Sequence, residues 1–562
     1  MKKPLFRLVA ICVIPAIFFC LLEMGLRVTR CGYNSEFLIR CPDPDCKFWH
    51  DNPEFTVPFL SRPLAKSALP IRVPVAKSPN TYRIFVLGSS ACAGYPIPAF
   101  SFSRILQVML KSDFPNANIE VINTANVAIN SHVIVEIVRA LAHHEPDLFI
   151  VYMGNNEVIG PYGPETLFAP FLSSRSLIRA SIHLKSLKIG QLLQSLVEKL
   201  SRNGRASAQW EGLAMFAHRT ITADDPRMKK VYRYYESNLQ DIVECARKAG
   251  AGIILSTVGS NLKDLAPFAS EHGRKVVPEW DSFFEAGKND ESSGRFKQAI
   301  EDFRSASAID DGYAELHFRM GRCYQALRQF ARAKDEFIRA RDLDALRVRA
   351  DSKINDIVRQ VAAGKKEDGA VFFDAAETLN AHSPEGISGK ELFYEHAHLN
   401  FTGNYVLAKA MLPAIERQLP AWIKAHGGNK AVLSQEDCAR DLGYTKLEEL
   451  IGDNDMISLV DGRPPFTGAV NQAALLKRLK GNAESIRLYF AKNGFAKVVD
   501  QSLEASRGNP DDPWIHYLLG TAYLLAGKTQ EGVYFLQLAI KEMPSLKDTF
   551  QIESGKIVLR RN

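Results

Sequence analysis

Short apolar runs, each followed by a turn of small or polar residues, recur along the chain. They occupy residues 83–87, 147–153, 253–258 and 371–374. Runs of this length and composition are typical of buried strands. Near-helical spacing of apolar residues follows the first run, over residues 91–110. The pattern predicts a sheet alternating with helices, and it directs attention to the polar residues at the strand ends.

The first run ends in Gly88-Ser89-Ser90. Glycine permits the unusual backbone angles of a tight turn. A serine between a strand and a helix has its hydroxyl at the sheet edge and its N–H at a helix start, where negative charge is favoured. Ser90 is therefore the candidate nucleophile. The alternative is that Ser89 and Ser90 only cap the helix.

A second loop, residues 154–157, follows the run at 147–153. We expect the Asn156 amide to donate a hydrogen bond to a developing oxyanion, while Asn155 and Glu157 tie the loop together. An Asx turn is the alternative. Between these loops, residues 121–130 form a predicted strand followed by small residues, whose backbone N–H groups would complete an oxyanion hole.

A third peptide, Glu395-His396-Ala397-His398, precedes a predicted helix. His398 is the residue type that takes a proton from a serine and returns it to the leaving group. Glu395, three residues earlier, is placed to orient the imidazole and stabilise its cation. The two histidines and the carboxylate are also metal ligand types, so a metal site is the alternative.

Taken in chain order, Gly88-x-Ser90, Ala128, Asn156 and His398 resemble the four sequence blocks of the SGNH (GDSL-like) hydrolases. The resemblance covers residues 80–160, 240–265 and 365–415. Residues 152–157 and 394–398 are more narrowly similar to bacterial membrane-anchored SGNH proteins that carry tetratricopeptide repeats.

The resemblance implies an α/β fold, a three-layer sandwich with a parallel sheet. It also implies a catalytic set of Ser90, His398, Glu395, Asn156 and Ala128, with no cofactor and no metal. Two residues depart from the family pattern. Glu395 stands where the family usually has Asp, and Ala128 stands where block two has glycine. We therefore expect the Ala128 loop to form without a free backbone angle, and the Ala128 N–H to be the least secure of the oxyanion donors.

Length and composition indicate a globular protein with more than one domain. The chain has 562 residues, of which 46% are hydrophobic and 24% charged. This composition is that of a globular protein, and the length predicts about three or four domains. The net charge of +7 is modest, and no basic motif with interleaved aromatic residues is present. We expect no nucleic-acid partner.

The N-terminus predicts a membrane segment. Lys2, Lys3 and Arg7 precede an uncharged run over residues 8–22, which an apolar stretch at 24–26 extends past Glu23. No small-x-small cleavage signature follows, which favours a retained signal-anchor over a cleaved signal peptide. The basic residues favour a cytoplasmic N-terminus. We therefore expect residues 1–30 to form a membrane helix, 31–79 a juxtamembrane segment, and the catalytic part to be periplasmic.

Cysteines cluster just beyond this segment. Cys31, Cys41 and Cys46 are the first three after the predicted helix. In an oxidising compartment, Cys41 and Cys46 would close a short disulfide loop. Free thiols are the alternative.

Internal repetition is the second strong feature. A set of glycine, alanine and phenylalanine positions recurs with a shift of 34 residues, the tetratricopeptide period. The set comprises Gly287, Phe296, Ala299, Phe303 and Ala306, and then Gly321, Phe330, Ala333, Phe337 and Ala340. A further match covers residues 519–544, after a degenerate half-repeat at 495–510. Small residues at these positions allow close helix packing. A spacer or docking role and a peptide-binding role both remain open.

Residues 176–202 form a predicted amphipathic helix. Apolar residues share one face, and five Lys or Arg residues accompany them, with Arg175 directly before the segment. This segment is interpreted as a core helix with a solvated basic side, or alternatively as a lid or a membrane-surface helix.

These elements predict a hydrolase domain in two parts, residues 80–279 and 365–425, with a lid-like helical insertion at 165–235. An independently folding repeat module at 280–350 separates the two parts, and a C-terminal helical repeat region follows at 430–550. We expect a serine esterase acting on carboxylic esters, with O-acetyl groups of envelope polysaccharide as the substrate suggested by family analogy. A lipid-directed esterase and a non-catalytic scaffold with a protein partner on its repeats are the alternatives.

Overall fold

A computed structural model describes residues 13–41, 43, 45–60, 64–65, 69–168, 171–201, 210–273, 277–425, 427–428, 431–553 and 556–559. Its centre is a five-stranded sheet with the order β5-β4-β6-β7-β8, and two small antiparallel sheets have the orders β1-β2-β3 and β10-β9. The strands are β1 (Leu38–Arg40), β2 (Phe48–Asp51), β3 (Arg72–Pro74), β4 (Thr81–Gly88), β5 (Asn118–Asn123), β6 (Leu148–Tyr152), β7 (Gly252–Ser256), β8 (Ala370–Phe373), β9 (Phe550–Glu553) and β10 (Lys556–Leu559).

Helices form most of the remainder. They are α1 (Ile14–Val28), α2 (Val57–Leu60), α3 (Ser90–Ala93), α4 (Phe102–Asp113), α5 (Ser131–Leu141), α6 (Arg175–Ser186), α7 (Lys188–Ser201), α8 (Pro226–Lys248), α9 (Pro278–Ser292), α10 (Phe296–Ile309), α11 (Ala314–Ala326), α12 (Phe330–Leu343), α13 (Ser352–Gly364), α14 (Ala375–Ala381), α15 (Phe401–Gln418), α16 (Ala421–Lys424), α17 (Gln435–Leu442), α18 (Lys446–Val460), α19 (Gln472–Asn493), α20 (Ala496–Gly508), α21 (Pro513–Leu525) and α22 (Thr529–Glu542).

Every neighbouring pair in the central sheet is parallel. Ile84 shows the register of β4, because it lies opposite Val121 of β5 on one side and Leu148 of β6 on the other. All eight residues of β4 are buried. Helices α5, α8 and α13 pack together over the sheet, and α4 packs against α15. The prediction of an α/β fold with a parallel sheet is confirmed.

The repeat helices α9 to α12 lie between β7 and β8, which are adjacent strands. Each repeat closes where a glycine meets a phenylalanine ring. A Cβ added at Gly287 would lie 2.5 Å from the Phe303 ring, and one at Gly321 would lie 2.8 Å from Phe337. The 34-residue pattern is therefore a helix-packing pattern, as its small residues predict.

The repeats share buried apolar contacts with the rest of the molecule, which the expectation of an independent module did not include. One buried apolar cluster joins them to the loops of the central sheet and to the C-terminal region. Its members include Val158, Ile159, Leu262, Leu265 and Phe268 from the sheet loops, Trp280, Phe303, Phe318 and Phe337 from the repeats, and Met456, Val460, Phe466 and Leu475 from the C-terminal region. The three parts therefore contribute apolar residues to one buried cluster.

The segment after the repeats belongs to the sheet domain rather than to the repeats. The repeat helices end at Leu343, and residues 344–351, here called the exit segment, lead to α13. The Ala350 N–H donates to Asn155 Oδ1 at 2.9 Å. The boundary predicted at residue 350 thus falls within a segment that packs on the sheet loops.

The predicted membrane helix is described only from residue 13, and residues 1–12 lie outside the described residues. Helix α1 has 15 residues. Over the described part of the chain, no helix combines the length and the apolar character needed to cross a bilayer. The apolar run is interrupted at Glu23 for a structural reason, since its carboxylate accepts the N–H groups of Lys188 and Ile189 at the start of α7.

Helices α6 and α7 differ from the predicted amphipathic helix in where their basic side chains lie. The basic side chains face protein, where Arg179 donates to Asn238 and Glu136, and Lys185 donates to the Pro58 carbonyl. Several apolar side chains instead remain exposed, namely Leu177, Leu184, Leu193, Leu196 and Val197. The interpretation as a core helix holds in part, because Ile178 and Ile182 of α6 are buried in the main core, but its basic side is not solvated.

Candidate active site

The candidate site lies where β4 ends and the chain turns into α3. From β4 the chain runs first to β5 on one side and later to β6 on the other, so Ser90 sits at the point where strand order reverses. Gly88 allows the turn, because a Cβ there would lie 2.2 Å from the Tyr152 carbonyl oxygen. Ser89 is the residue before the helix, but its side chain makes no capping hydrogen bond. The hydroxyls do not serve as a helix cap.

Ser90, His398 and Glu395 form one hydrogen-bonded chain. The Ser90 Oγ atom lies 2.9 Å from His398 Nε2, and His398 Nδ1 lies 2.6 Å from Glu395 Oε1. A carboxylate only accepts, so Nδ1 carries the proton and Nε2 is left to accept from the Ser90 hydroxyl. Residues 308 positions apart thus meet with the geometry of a nucleophile, a base and an orienting acid.

The carboxylate is fixed by its own loop. Glu395 is fully buried. Its Oε1 atom also accepts the backbone N–H of His398 at 2.8 Å, and its Oε2 atom contacts His396 Nδ1. The longer side chain of Glu395 therefore still reaches His398 Nδ1.

The same three side chains are also close enough to hold a metal ion. In this arrangement, however, both ring nitrogens of His398 are already engaged, one by Glu395 and one by Ser90. A metal bound by His398 would have to displace one of these two contacts. The geometry fits proton transfer to and from Ser90 more directly than metal ligation.

Burial keeps the histidines neutral. It lowers the pKa of His398 to about 3. Burial, followed by the charges of His398 and Arg349, holds the pKa of His396 well below its ordinary value. A neutral His398 is the form that accepts a proton from Ser90.

The two remaining predicted site residues lie on loops tied to β4 and to each other. The Asn126 N–H donates to the Gly88 carbonyl at 3.2 Å, which holds the Ala128 loop beside Ser90. Asn156 Nδ2 donates to the Ile129 carbonyl at 3.1 Å, which joins the second loop to the first. No hydrogen bond joins either residue to Ser90 in the described part of the chain.

Ala128 corrects the expectation that its loop avoids a special backbone angle. Its φ is +61°, in the left-handed region that favours glycine. The loop keeps the conformation a glycine would give it, at the cost of steric strain from the Ala128 Cβ. The strain is maintained by the loop contacts on either side.

Asn155 and Glu157 have structural contacts. Glu157 accepts from the Ser131 N–H and hydroxyl at 2.8 and 2.6 Å, and burial raises its pKa to about 7. The Asn155 side-chain oxygen accepts a hydrogen bond from the Ala350 N–H of the exit segment. Both side chains tie the Asn156 loop to its surroundings.

Residues 394–398 are here called the histidine loop. Sequence patterns did not identify the residues that support it. The Tyr95 ring lies 4.9 Å from the His398 ring, and Phe268 lies 5.6 Å from His396. Arg478, in the C-terminal region, donates to the Tyr394 carbonyl at 2.7 Å.

Comparison with known proteins matches one part of the chain to a family. Residues 292–351 match a tetratricopeptide repeat model. A search of curated proteins found no match. The chain therefore contains tetratricopeptide repeats, consistent with the packing of α9 to α12.

Two solved structures show similarity to the chain. One is TesA, at 12% identity, covering 60% of this chain and 99% of that chain with a TM-score of 0.23. The other is an acetyl xylan esterase, AlAXEase, at 11% identity, covering 59% of this chain and 99% of that chain with a TM-score of 0.26. At these scores the likeness carries no argument about function, which rests on the geometry around Ser90.

Proposed function

We propose that this protein is a serine esterase of the SGNH type that cleaves carboxylic esters. The observation that carries the proposal is the continuous hydrogen-bonded chain from Ser90 through His398 to Glu395. A non-catalytic scaffold would have no need to hold Ser90 against a His398–Glu395 pair that lies 308 positions later in the chain. The convergence therefore favours an enzyme.

In the proposed reaction, the Ser90 oxygen attacks the ester carbonyl while His398 Nε2 takes the hydroxyl proton. Glu395 holds the Nδ1 proton and stabilises the imidazolium that forms. Asn156 and the Ser90 and Ala128 N–H groups donate to the oxyanion. The imidazolium then returns the proton to the leaving alkoxide, and water releases the acyl group by the reverse sequence.

Ser90→Ala tests this assignment with a short activated ester such as p-nitrophenyl acetate. Removing the nucleophile leaves only binding and oxyanion stabilisation, so we expect loss of nearly all turnover. Ser89→Ala is the matched control, because Ser89 is adjacent and makes no capping contact. Loss of activity in Ser89→Ala with retention in Ser90→Ala would contradict the proposal.

The substrate is proposed to carry a short acyl group, such as an O-acetyl group of an envelope polysaccharide. Ala91, Cys92 and Ala93, directly after Ser90, are all buried, so these three side chains offer no exposed apolar surface to a long acyl chain. A series of p-nitrophenyl esters with two, four and eight acyl carbons tests this. A rise in kcat/KM with chain length would favour a lipid ester instead.

We propose further that the protein is attached to a membrane through its N-terminal segment, with the site outside the cytoplasm. Support comes from α1, where Ile14, Ile17, Phe18 and Leu21 are each more than half exposed. Exposed apolar side chains in such density are costly in water and favourable in lipid. Sedimentation of the full chain with phospholipid vesicles tests the attachment, and a chain that stays in the supernatant contradicts it.

A further inference from the structure

Three potential ligand side chains converge at the first hairpin of the chain, far in sequence from the candidate active site. Cys41 directly follows β1, Cys46 lies two residues before β2, and His50 lies on β2. The hairpin pairing sets Ile39 opposite His50, which brings the end of β1 alongside the histidine. The strand register therefore assembles the cluster from residues within ten positions of one another.

The cluster has the geometry of a metal site. Cys46 Sγ lies 3.3 Å from His50 Nε2. The ligand atoms of Cys41, Cys46 and His50 all lie within 4.8 Å of one another. Zinc bonds of about 2.3 Å to sulfur and about 2.0 Å to nitrogen place neighbouring ligand atoms of a tetrahedral site at separations of this order.

The histidine is held for this role by its surroundings. His50 is 4% exposed, although the two cysteines are partly exposed. Its Nε2 atom is directed at the thiols by the fixed conformation of β2, which pairs with β1 on one side and with β3 on the other. A pair of cysteines intended only for a disulfide would not require a buried imidazole beside them.

We propose that Cys41, Cys46 and His50 bind a zinc ion, with water in the fourth position. Two thiols lose their protons to solvent on binding, so the dication and two thiolates form a neutral unit. Thiolate and imidazole ligands are the set that zinc favours over the oxygen-preferring cations. The proposal is independent of any esterase activity.

The proposed ion would stabilise the sheet β1-β2-β3, which is small and connects to the far end of the chain. Ser545 Oγ donates to Asp51 Oδ1 at 2.8 Å, and Arg72 pairs with Glu542. Because three short strands alone bury little surface, a metal bound by the hairpin would add rigidity to this junction. The ion would act in structure rather than in ester cleavage.

The test uses the full chain, purified with zinc and a reducing agent and then freed of loose metal by gel filtration. We expect one zinc per chain by elemental analysis. Replacement of zinc by Co²⁺ should give thiolate-to-cobalt charge-transfer bands and the ligand-field bands of a tetrahedral site. The variants Cys41→Ser, Cys46→Ser and His50→Gln should each lose the bound metal.

Cys31→Ser is the matched control, because Cys31 lies in the same stretch but outside the cluster, and it should keep the metal and the spectrum. The cobalt spectrum of the unmodified chain tests the site even if a variant fails to fold. Zinc removed by gel filtration, or a cobalt spectrum without thiolate bands, overturns the proposal. Peptide mapping that finds Cys41 bonded to Cys46 in protein kept under reducing conditions also overturns it.

Discussion

At the scale of single residues, the candidate site depends on side chains that are held in place by their own loops. Sequence patterns placed Ser90, His398 and Glu395 correctly at strand and helix ends, because such turns have recognisable residue types. They could not show that Glu395 contacts both His396 and His398, since that depends on how one tight loop folds. The backbone angle of Ala128 was likewise invisible in the sequence.

Glu395→Gln tests the role of the acid. The amide can still accept from His398 Nδ1 but cannot stabilise the imidazolium, so we expect kcat for a short ester to fall by about 10²- to 10⁴-fold. Asp374→Asn is the control carboxylate. Asp374 accepts from Thr257 and Arg359 and caps α14, so its loss should affect stability rather than turnover. A collapse of activity in Asp374→Asn alone would show that Glu395 is not the acid.

Ala128→Gly tests the strained angle. Relief of the left-handed strain, about 1–2 kcal/mol, exceeds the entropy cost of a glycine, about 0.4–1 kcal/mol. We therefore expect the variant to unfold at the same or a slightly higher urea concentration, with esterase activity retained. Ala125→Gly, in the same loop but without a positive φ, should lose stability. A clear loss of stability in Ala128→Gly would mean that the alanine methyl group contributes packing that outweighs the strain.

At the scale of elements, the exit segment connects the repeats to the histidine loop. Arg349 donates to Asp344 at 2.9 Å and to the Asn261 carbonyl at 3.1 Å. The Asn261 N–H in turn donates to the His396 carbonyl at 3.0 Å. The 34-residue period predicted the repeat helices but contained no information on this connection, because repeat signatures report only how helices pack on their neighbours.

Arg349→Ala tests this connection. Arg349 and Asp344 are both almost fully buried. Removing one partner leaves a buried carboxylate unpaired, which costs about 3–5 kcal/mol of unfolding free energy. Arg359→Ala, whose side chain is 41% exposed in its pairs with Asp356 and Asp374, should cost at most about 1 kcal/mol. Equal losses for the two variants in urea unfolding would show that the buried pair has no special role.

At the scale of the whole molecule, the repeats, the sheet loops and the C-terminal helices share one apolar core. Composition and periodicity predicted a sheet domain, a set of repeats and a C-terminal helical region, in that order along the chain. They did not show that Phe268 and Phe466, from different parts, both contact His396. Contacts between parts depend on the shapes of surfaces that no local pattern records.

Replacement of Pro278–Leu343 by a flexible linker tests the shared core. Leu262, Leu265 and Phe268 would lose the apolar residues that cover them. We expect the shortened protein to be insoluble, or to unfold at a much lower urea concentration and to lose activity. A soluble variant with unchanged unfolding and full activity would restore the hypothesis of an independent module.

The most direct test of the central claim is to find which residue reacts with a fluorophosphonate probe. Such probes modify a serine whose hydroxyl is activated by a neighbouring base. The account predicts one adduct per chain, mapped to Ser90 by peptide mass spectrometry, present in Ser89→Ala and absent in Ser90→Ala and His398→Ala. A folded protein that forms no adduct, or forms it on a serine other than Ser90, would contradict the account.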